Sequence, residues 1–325
     1  MRSPGASLTE PSPLRALVVG CGNIGAGYDL HDDRVVTFAK ALRLRSDVEL
    51  TVSDANEAKA RVVAAFCDVA HLGPPSDDDL NGIDMVCICV PTPLHFDLIR
   101  RCVAVQVRLV ICEKPLVATL DDVAALERMD VGATRIMVNY LRRFSPAYAR
   151  LREQLAIWLD EQPLAGIEIR YVRGLLNYAG HALDLLEYVL DCPFEPGHFD
   201  VTQACFDAFP DDPTLVGSLE WDGVPVTFHG VANARYALFE IDLYTAMRRV
   251  EIRDRGNSIR CFEEDQGLLR ERPELRHEDA IRDFMVPVID HALTCLAGRA
   301  PDNFRQALRL NKTILTLIRD LEAQR

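Results

Sequence analysis

The stretch with the clearest chemical meaning is Gly20-Cys21-Gly22-Asn23-Ile24-Gly25, which follows the apolar run Arg15 to Gly20 directly. That run is short, continuous and closed by glycine, so it reads as a buried strand. In a G-x-G-x-x-G turn the first glycine permits a tight bend and the second lets the backbone approach a pyrophosphate. The third lets a helix pack closely on the strand. A pyrophosphate there would meet the N–H groups of Asn23, Ile24 and their neighbours at the positive end of the helix. A second strand, Val48 to Ser53, runs into Asp54. Its carboxylate would accept hydrogen bonds from ribose hydroxyls and repel a 2′-phosphate, which favours NAD, with NADP the second option. Asp54 lies 29 residues beyond Gly25, against about 20 in the usual spacing. An elongated loop over Tyr28 to Arg34 accounts for the excess.

Other reactive residue types lack convergent spacing. His31-Asp32-Asp33 has metal-ligand chemistry without partners, so no metal is expected. Ten cysteines include no Cys-x-x-Cys pair, and Cys87 and Cys89 alternate inside an apolar run, where cysteine acts as a small hydrophobe. There is no Gly-x-Ser-x-Gly elbow and no His-Glu-x-x-His helix, which leaves serine hydrolase and zincin chemistry unsupported.

Alternating elements would hold the glycine turn in place. Beyond the first two strands, Asp84 to Val90, Arg108 to Cys112 and Arg135 to Asn139 read as strands. Val35 to Leu44, Glu57 to Phe66, His95 to Val105 and Leu120 to Met129 read as helices. Gly73 to Asp79 reads as a surface turn. Strand and helix alternating at this interval predict an α/β fold whose N-terminal part is a doubly wound parallel Rossmann sheet. Ser145-Pro146, a cap residue followed by proline, opens a further helix to about Asp160. After it come strands over Ile167 to Val172, Val216 to Trp221, Val224 to Val231, Leu238 to Leu243 and Arg248 to Ile252. An Asp222-Gly223 hairpin turn joins two of them. One helix, Tyr178 to Leu190, interrupts them, and two more, Ala280 to Ala297 and Phe304 to Ala323, close the chain. The expected organisation is a flexible tail over residues 1–14 and a dinucleotide-binding domain over 15–145. Residues 146–325 would form a second α/β domain with a large, mostly antiparallel sheet.

Composition narrows the class. The chain has 325 residues, 49% of them hydrophobic, and a formal net charge of −13. That length supports two globular domains, and the acidic balance disfavours nucleic acid as a partner. No apolar run reaches the roughly 18 residues of a membrane helix, and Met1 to Pro13 lacks the apolar stretch of a secretory signal. A reduced, cytoplasmic protein is expected.

Four marks in order, Gly20-x-Gly22-x-x-Gly25, Pro91-Thr92-Pro93-x-His95, Glu113-Lys114-Pro115 and Asn139-x-x-x-Arg143-Phe144-x-Pro146, carry a resemblance. The chain resembles the glucose–fructose oxidoreductase / inositol dehydrogenase / rhizopine catabolism (Gfo/Idh/MocA) family over nearly its whole length. The resemblance implies hydride transfer between a nicotinamide and a sugar, nucleotide-linked sugar or (amino)cyclitol, in a homodimer or homotetramer. It makes residues 146–325 the substrate-binding and oligomerisation domain, with an open sheet and with terminal helices packing back on the first domain. It implies that Pro91, Thr92, Pro93, His95, Glu113 and Lys114 border the cofactor, His95 more as scaffold than as catalyst, and that Asn139 and Arg143 reach substrate. It also makes Lys114 the ammonium beside the reacting oxygen, able to polarise a carbonyl or lower an alcohol's pKa. The family helix Asp-x-Gly-x-His-x-x-Asp matches Asn177 to Asp184. His181 becomes the candidate acid/base and Asp184 a substrate contact or a support for its ring, while Asn177 replaces the first acid and can only orient hydroxyls. Either His181 and Lys114 carry the chemistry alone or an acid arrives from elsewhere. Two other outcomes stay open: a glycosidase-like enzyme that uses NAD transiently, and a dinucleotide-bound regulator without catalysis.

Overall fold

The computed structural model describes residues 12–323; residues 1–11 of the expected tail lie outside the described residues. Six parallel strands form the first sheet: β1 (Leu14–Val19), β2 (Val48–Ser53), β3 (Ala70–Leu72), β4 (Met85–Ile88), β5 (Leu109–Cys112) and β6 (Arg135–Val138). Their order, β3-β2-β1-β4-β5-β6, reverses direction between β1 and β4, and ligands of such sheets bind at that crevice. Helices α1 (Phe38–Arg43), α2 (Glu57–Cys67), α3 (Asp77–Leu80), α4 (His95–Ala104) and α5 (Leu120–Arg128) connect the strands. Two short elements escaped the sequence pattern. The three residues of β3 are too few to show alternation, and the expected turn at Asp77 to Asp79 is the first turn of α3. Ser76 caps that turn by accepting from Asp79 N, while Asp79 returns a bond to the Ser76 backbone. Three carboxylates at a helix N-terminus are favourable there.

The second half begins with α6 (Pro146–Glu161), capped by Ser145. Its sheet has eight strands: β7 (Leu164–Tyr171), β8 (Pro196–Phe209), β9 (Asp212–Trp221), β10 (Val224–Gly230), β11 (Phe239–Thr245), β12 (Arg248–Arg253), β13 (Ser258–Asp265) and β14 (Leu268–Glu271). The order is β14-β13-β12-β11-β7-β10-β9-β8, and every pair is antiparallel except β7 with β10. The β9–β10 hairpin turns at Asp222 and Gly223, both at positive φ, as its two-residue loop requires. Strands β8, β13 and β14 carry no clear apolar alternation in sequence. β8 lies at the sheet edge with little of its surface buried, and β13 buries only Ile259 and Cys261.

Helix α7 (Gly180–Leu190) lies between β7 and β8 in the chain, and α8 (Met285–Leu296) and α9 (Phe304–Glu322) close it. The last helix and its cap residue are tied to β6 and to the segment after β5 through two buried asparagines. Asn303 exchanges two hydrogen bonds with the Val138 backbone, and Asn311 does the same with Val117. Across β7, β11 and β12, Asp242 is buried and accepts from Arg170, Arg249 and Arg253. No helix among the described residues is long and apolar enough to cross a membrane.

Candidate functional site

The three glycines of the β1 turn fill three different spaces. Gly20 has φ +105°, and a Cβ there would stand 2.6 Å from Cys89 O; at Gly25 it would stand 1.9 Å from Gly20 O. At Gly22 a Cβ would meet nothing within 4 Å. Two glycines are therefore required by the protein itself, while the third leaves an open cradle bordered by backbone. Ala26 N and Gly27 N donate to Gly22 O, beginning a helical turn. Phe38 N and Ala39 N then donate to Ile24 O and Gly25 O at 3.3 and 2.9 Å. Helix α1 thus continues the turn begun at Gly22, and residues 27–37 are an excursion from it. The excursion explains the long spacing to Asp54. Buried Asp29 pins it, accepting from Val36 N, Thr37 N and Thr37 Oγ1 at 2.7, 2.9 and 2.6 Å.

Asp54 Oδ2 accepts from Cys21 N at 2.8 Å and Oδ1 from Asn56 N at 2.7 Å. The acid at the end of β2 is thereby joined to the glycine turn. Gly20, Gly22, Asp54, Lys59, Pro91 and Leu94 border one cavity of about 630 Å³. Thr92 and Pro93 lie in the 3-10 turn that begins there, and Asn23 borders a shallower hollow with Gly22 and Lys59. The open side of Gly22, with an acid beside it and no Cβ in the way, fits a dinucleotide.

A second cleft of about 830 Å³ opens beside Ile24 and is lined by Glu113, Lys114, Asn139, Arg142, Asn177 and His181, among others. Glu113 and Lys114 leave the end of β5. His95 is buried and borders neither this cleft nor the cavity at Gly22. Its Nε2 lies 2.9 Å from Val90 O and its Nδ1 3.0 Å from Pro115 O, so it clamps the loop after β4 to the loop after β5. Asn139 follows β6, donating to Glu113 Oε1 at 2.5 Å while its own Oδ1 has no partner. An orphaned buried acceptor on a cleft wall is a place for a ligand's N–H or O–H.

Asn177 and His181 come from a π-helical turn, Leu175–Ala179, that runs into α7. Being four residues apart, they project to one side. Lys114 Nζ donates to Asn177 O at 3.0 Å and to Asn177 Oδ1 at 2.6 Å. The His181 ring packs edge-on against Tyr140 at 5.8 Å. Burial lowers the Lys114 pKa, partly opposed by Glu113. Burial, together with the charges of Lys114 and Arg142, holds His181 well below the ordinary histidine value. The imidazole is therefore neutral at neutral pH and free to accept a proton.

The expected substrate contacts Arg143 and Asp184 are corrected by the structure. Arg143 Nε donates to Asp184 Oδ2 at 3.1 Å, and its Nη2 lies 2.7 Å from Oδ1. Arg143 also donates to Gln306 Oε1. The pair is buried between α7 and the chain around Leu141–Phe144, and neither residue lines the cleft. Asp184 therefore does not hold the His181 ring; its charge is taken by Arg143. It is the neighbouring Arg142 that enters the cleft, its guanidinium carbon 3.9 Å from the centre of the Phe239 ring. The doublet Arg142-Arg143 marked the place, but only the direction each chain takes in the 3-10 turn separates their roles. Asp212 was missed entirely. It opens β9 and accepts from Leu176 N and Asn177 N; no sequence pattern sets it apart from Asp211 beside it. Among the described residues no three His, Cys, Asp or Glu side chains converge as a metal site.

Residues 14–140 match the oxidoreductase family with an NAD-binding Rossmann fold. Inositol 2-dehydrogenase 2 of Paenarthrobacter aurescens is 24% identical over 242 residues, covering 69% of this chain and 70% of that protein. Inositol 2-dehydrogenase 1 of Saccharopolyspora erythraea is 33% identical over 147 residues, 44% of this chain and 41% of that one. The chain thus aligns with only about two fifths of the length of the latter. In structure, UDP-N-acetylglucosamine 3-dehydrogenase from Acidithiobacillus ferrooxidans aligns with a TM-score of 0.75 at 19% identity, over 96% of this chain and 98% of that one. A 3-ketoreductase from Actinomadura kijaniata in complex with NADP aligns with a TM-score of 0.71 at 16% identity, over 93% and 96%. These likenesses establish a common two-part fold.

Proposed function

We propose that this chain, which belongs through residues 14–140 to the Gfo/Idh/MocA oxidoreductase family, is an NAD(P)-dependent dehydrogenase or ketoreductase of a sugar, nucleotide-linked sugar or cyclitol. The observation that carries the reading is the meeting of Lys114, Asn177 and His181 on one cleft beside the glycine cradle. The names of its relatives, inositol and nucleotide-sugar dehydrogenases among them, supply the substrate range.

In this reading the backbone of Gly20, Gly22, Asn23, Ile24 and Gly25 holds the pyrophosphate, and Asp54 the adenosine ribose, which makes NAD the preferred cofactor. Pro91, Thr92, Pro93 and Glu113 border the remainder of the dinucleotide, and His95 fixes their loops. When bound, the nicotinamide supplies a hydride acceptor or donor at its C4. In the oxidative direction the carbinol carbon gives up a hydride and its hydroxyl gives up a proton. Lys114 Nζ, with two N–H bonds spent on Asn177, directs its remaining N–H to the substrate oxygen. His181 takes the proton as a neutral imidazole; in the reductive direction it returns it. Asn139 and Arg142 orient the other hydroxyls. The protein's own contribution is orientation and charge. The eight-stranded sheet offers an open face for homo-oligomers, and ten unpaired cysteines suit a reducing cytoplasm.

The test is thermal unfolding with NAD, NADH, NADP and NADPH, followed by cyclitol and nucleotide-sugar panels read at about 340 nm, where reduced nicotinamide absorbs. A shift selective for NAD(H), with absorbance change on one class of polyol, is the expected result. Larger NADP(H) shifts would reverse the reading of Asp54. Release of a leaving group without net NADH would favour the glycosidase-like chemistry. Tight NADH binding with no turnover on either panel would overturn the enzyme in favour of a regulator.

A further inference from the structure

Asn177 stands where the family helix carries an acid, yet its turn is not without a carboxylate. Asp212, at the start of β9, places Oδ1 2.7 Å from Leu176 N and Oδ2 2.9 Å from Asn177 N. The turn is shaped around it. Gly174 has φ +91°, and a Cβ there would stand 2.1 Å from Asp212 Oδ2, so only glycine leaves room for the carboxylate. Gly174 N donates to Thr214 Oγ1 at 3.1 Å, and that hydroxyl donates to Asp207 Oδ1 at 2.8 Å. The β8–β9 hairpin is thereby clamped to the turn by side chains from both of its strands. Both oxygens of the same residue, Asn177, accept from Lys114 Nζ.

We propose that Asp212 is a positioning residue for the reaction: it locks Asn177 as a two-oxygen acceptor for Lys114 and supplies, from another strand, the negative charge that the helix lacks. The inference rests on the reading of Lys114 as the group at the substrate oxygen. Asn177 holds the ammonium in place but cannot balance its charge. Among the described residues, the titratable groups that face Lys114 are Glu113 from its own loop, Arg142 from the turn after β6, His181 from α7 and Asp212 from β9. Burial and hydrogen bonding to Asn139 act on Glu113 in opposite senses, burial raising its pKa overall. Asp212 therefore adds a second carboxylate whose charge acts on Lys114, brought from β9 rather than from the loop that carries Glu113. Its carboxyl is itself pushed up to about 6 by burial, against the bonds from Leu176 N and Asn177 N and the pull of Lys114.

The experiment compares Asp212→Asn, Asn177→Asp and the double variant in the full chain, with kcat against pH and NADH affinity for each. Asp212→Asn is expected to lower kcat about tenfold or more with NADH affinity unchanged. It is also expected to draw the alkaline limb down by about one pH unit, because Lys114 loses an anion. The double variant returns the charge to position 177 and is expected to recover the limb and part of kcat. It keeps the net charge, and it decides the matter if Asp212→Asn alone does not fold. A wild-type pH profile in Asp212→Asn, or a folded, NADH-binding double variant without recovery, would overturn the proposal. Lys114→Ala in parallel separates the premises. If it leaves kcat intact, the role of Lys114 is wrong; if it abolishes kcat while Asp212→Asn does not, only the inference fails.

Discussion

The glycine turn after β1 and the π-helical turn before α7 both border the cleft, and they keep their shapes by opposite devices. The first does so by leaving side chains out: a Cβ at Gly20 or Gly25 would strike backbone. The second is held by a buried carboxylate, Asp212, accepting from two successive N–H groups. A backbone cradle recognises what every dinucleotide shares. A turn held by side chains carries titratable groups whose charge and direction can be altered one residue at a time. The difference places recognition of the cofactor on the main chain and the proton chemistry on side chains.

That division can be broken at four places. Lys114→Ala is expected to lower kcat by about 10²–10⁴-fold with little change in NADH affinity, checked by steady-state kinetics and calorimetric titration. Equal losses in both would mean that Lys114 serves the cofactor alone. Asp184→Ala leaves the Arg143 guanidinium buried without its partner and is expected to cost about 3–5 kcal/mol in urea unfolding. The KM of the folded enzyme should be unchanged; a raised KM at full stability would return the pair to the substrate. The glycine turn gives a finer contrast. Gly25→Ala drives a Cβ into Gly20 O and is expected to destabilise by about 1–3 kcal/mol. Gly22→Ala, facing open space, should stay within about 0.5 kcal/mol of wild type while weakening NADH binding. Matching losses of stability from both would show that the cradle is simply packed interior.

The smallest expected effect concerns His181. The oxidative direction needs its neutral form, and burial with two nearby cations pushes its pKa below the ordinary 6.5. The acid limb of kcat/KM should therefore lie below pH 6.5, with activity lost as pH falls through the lowered value. Removing the cation in Lys114→Ala should move that limb upward in whatever activity remains, measured as a pH–rate profile. A limb at or above 6.5 in the wild type would place the imidazole in water rather than behind Lys114 and Arg142.

Much of the first half was legible because its signals are local. A strand, three glycines and an acid lie within 40 residues of one another, and Gly25's need is set by Gly20 five positions before it, although Gly20's own is set by Cys89 beyond β4. Even the unusual spacing to Asp54 was readable as an extra loop. What could not be read was that α1 resumes the helix begun at Gly22, because the bonds from Phe38 and Ala39 span the whole excursion. In the second half the helix bearing His181 was legible, and the family match placed Asn177 just before it, but their partners were not. β8 is an edge strand with few buried positions, so no periodicity announces it, and it leads into Asp212. Arg142 and Arg143 are chemically identical neighbours, and a single 3-10 turn sends one to the cleft and the other to Asp184.

By itself, then, the sequence determined the elements whose causes are short-range: parallel strands with their crossover helices, the glycine cradle, and the residue types able to move a proton. Tertiary structure alone decided which of those residues meet. Lys114 is 63 positions from Asn177, and Asn177 is 35 from Asp212. Hydrogen bonds at such separations depend on how two sheets and a hairpin close around one turn, and no local pattern encodes that closure.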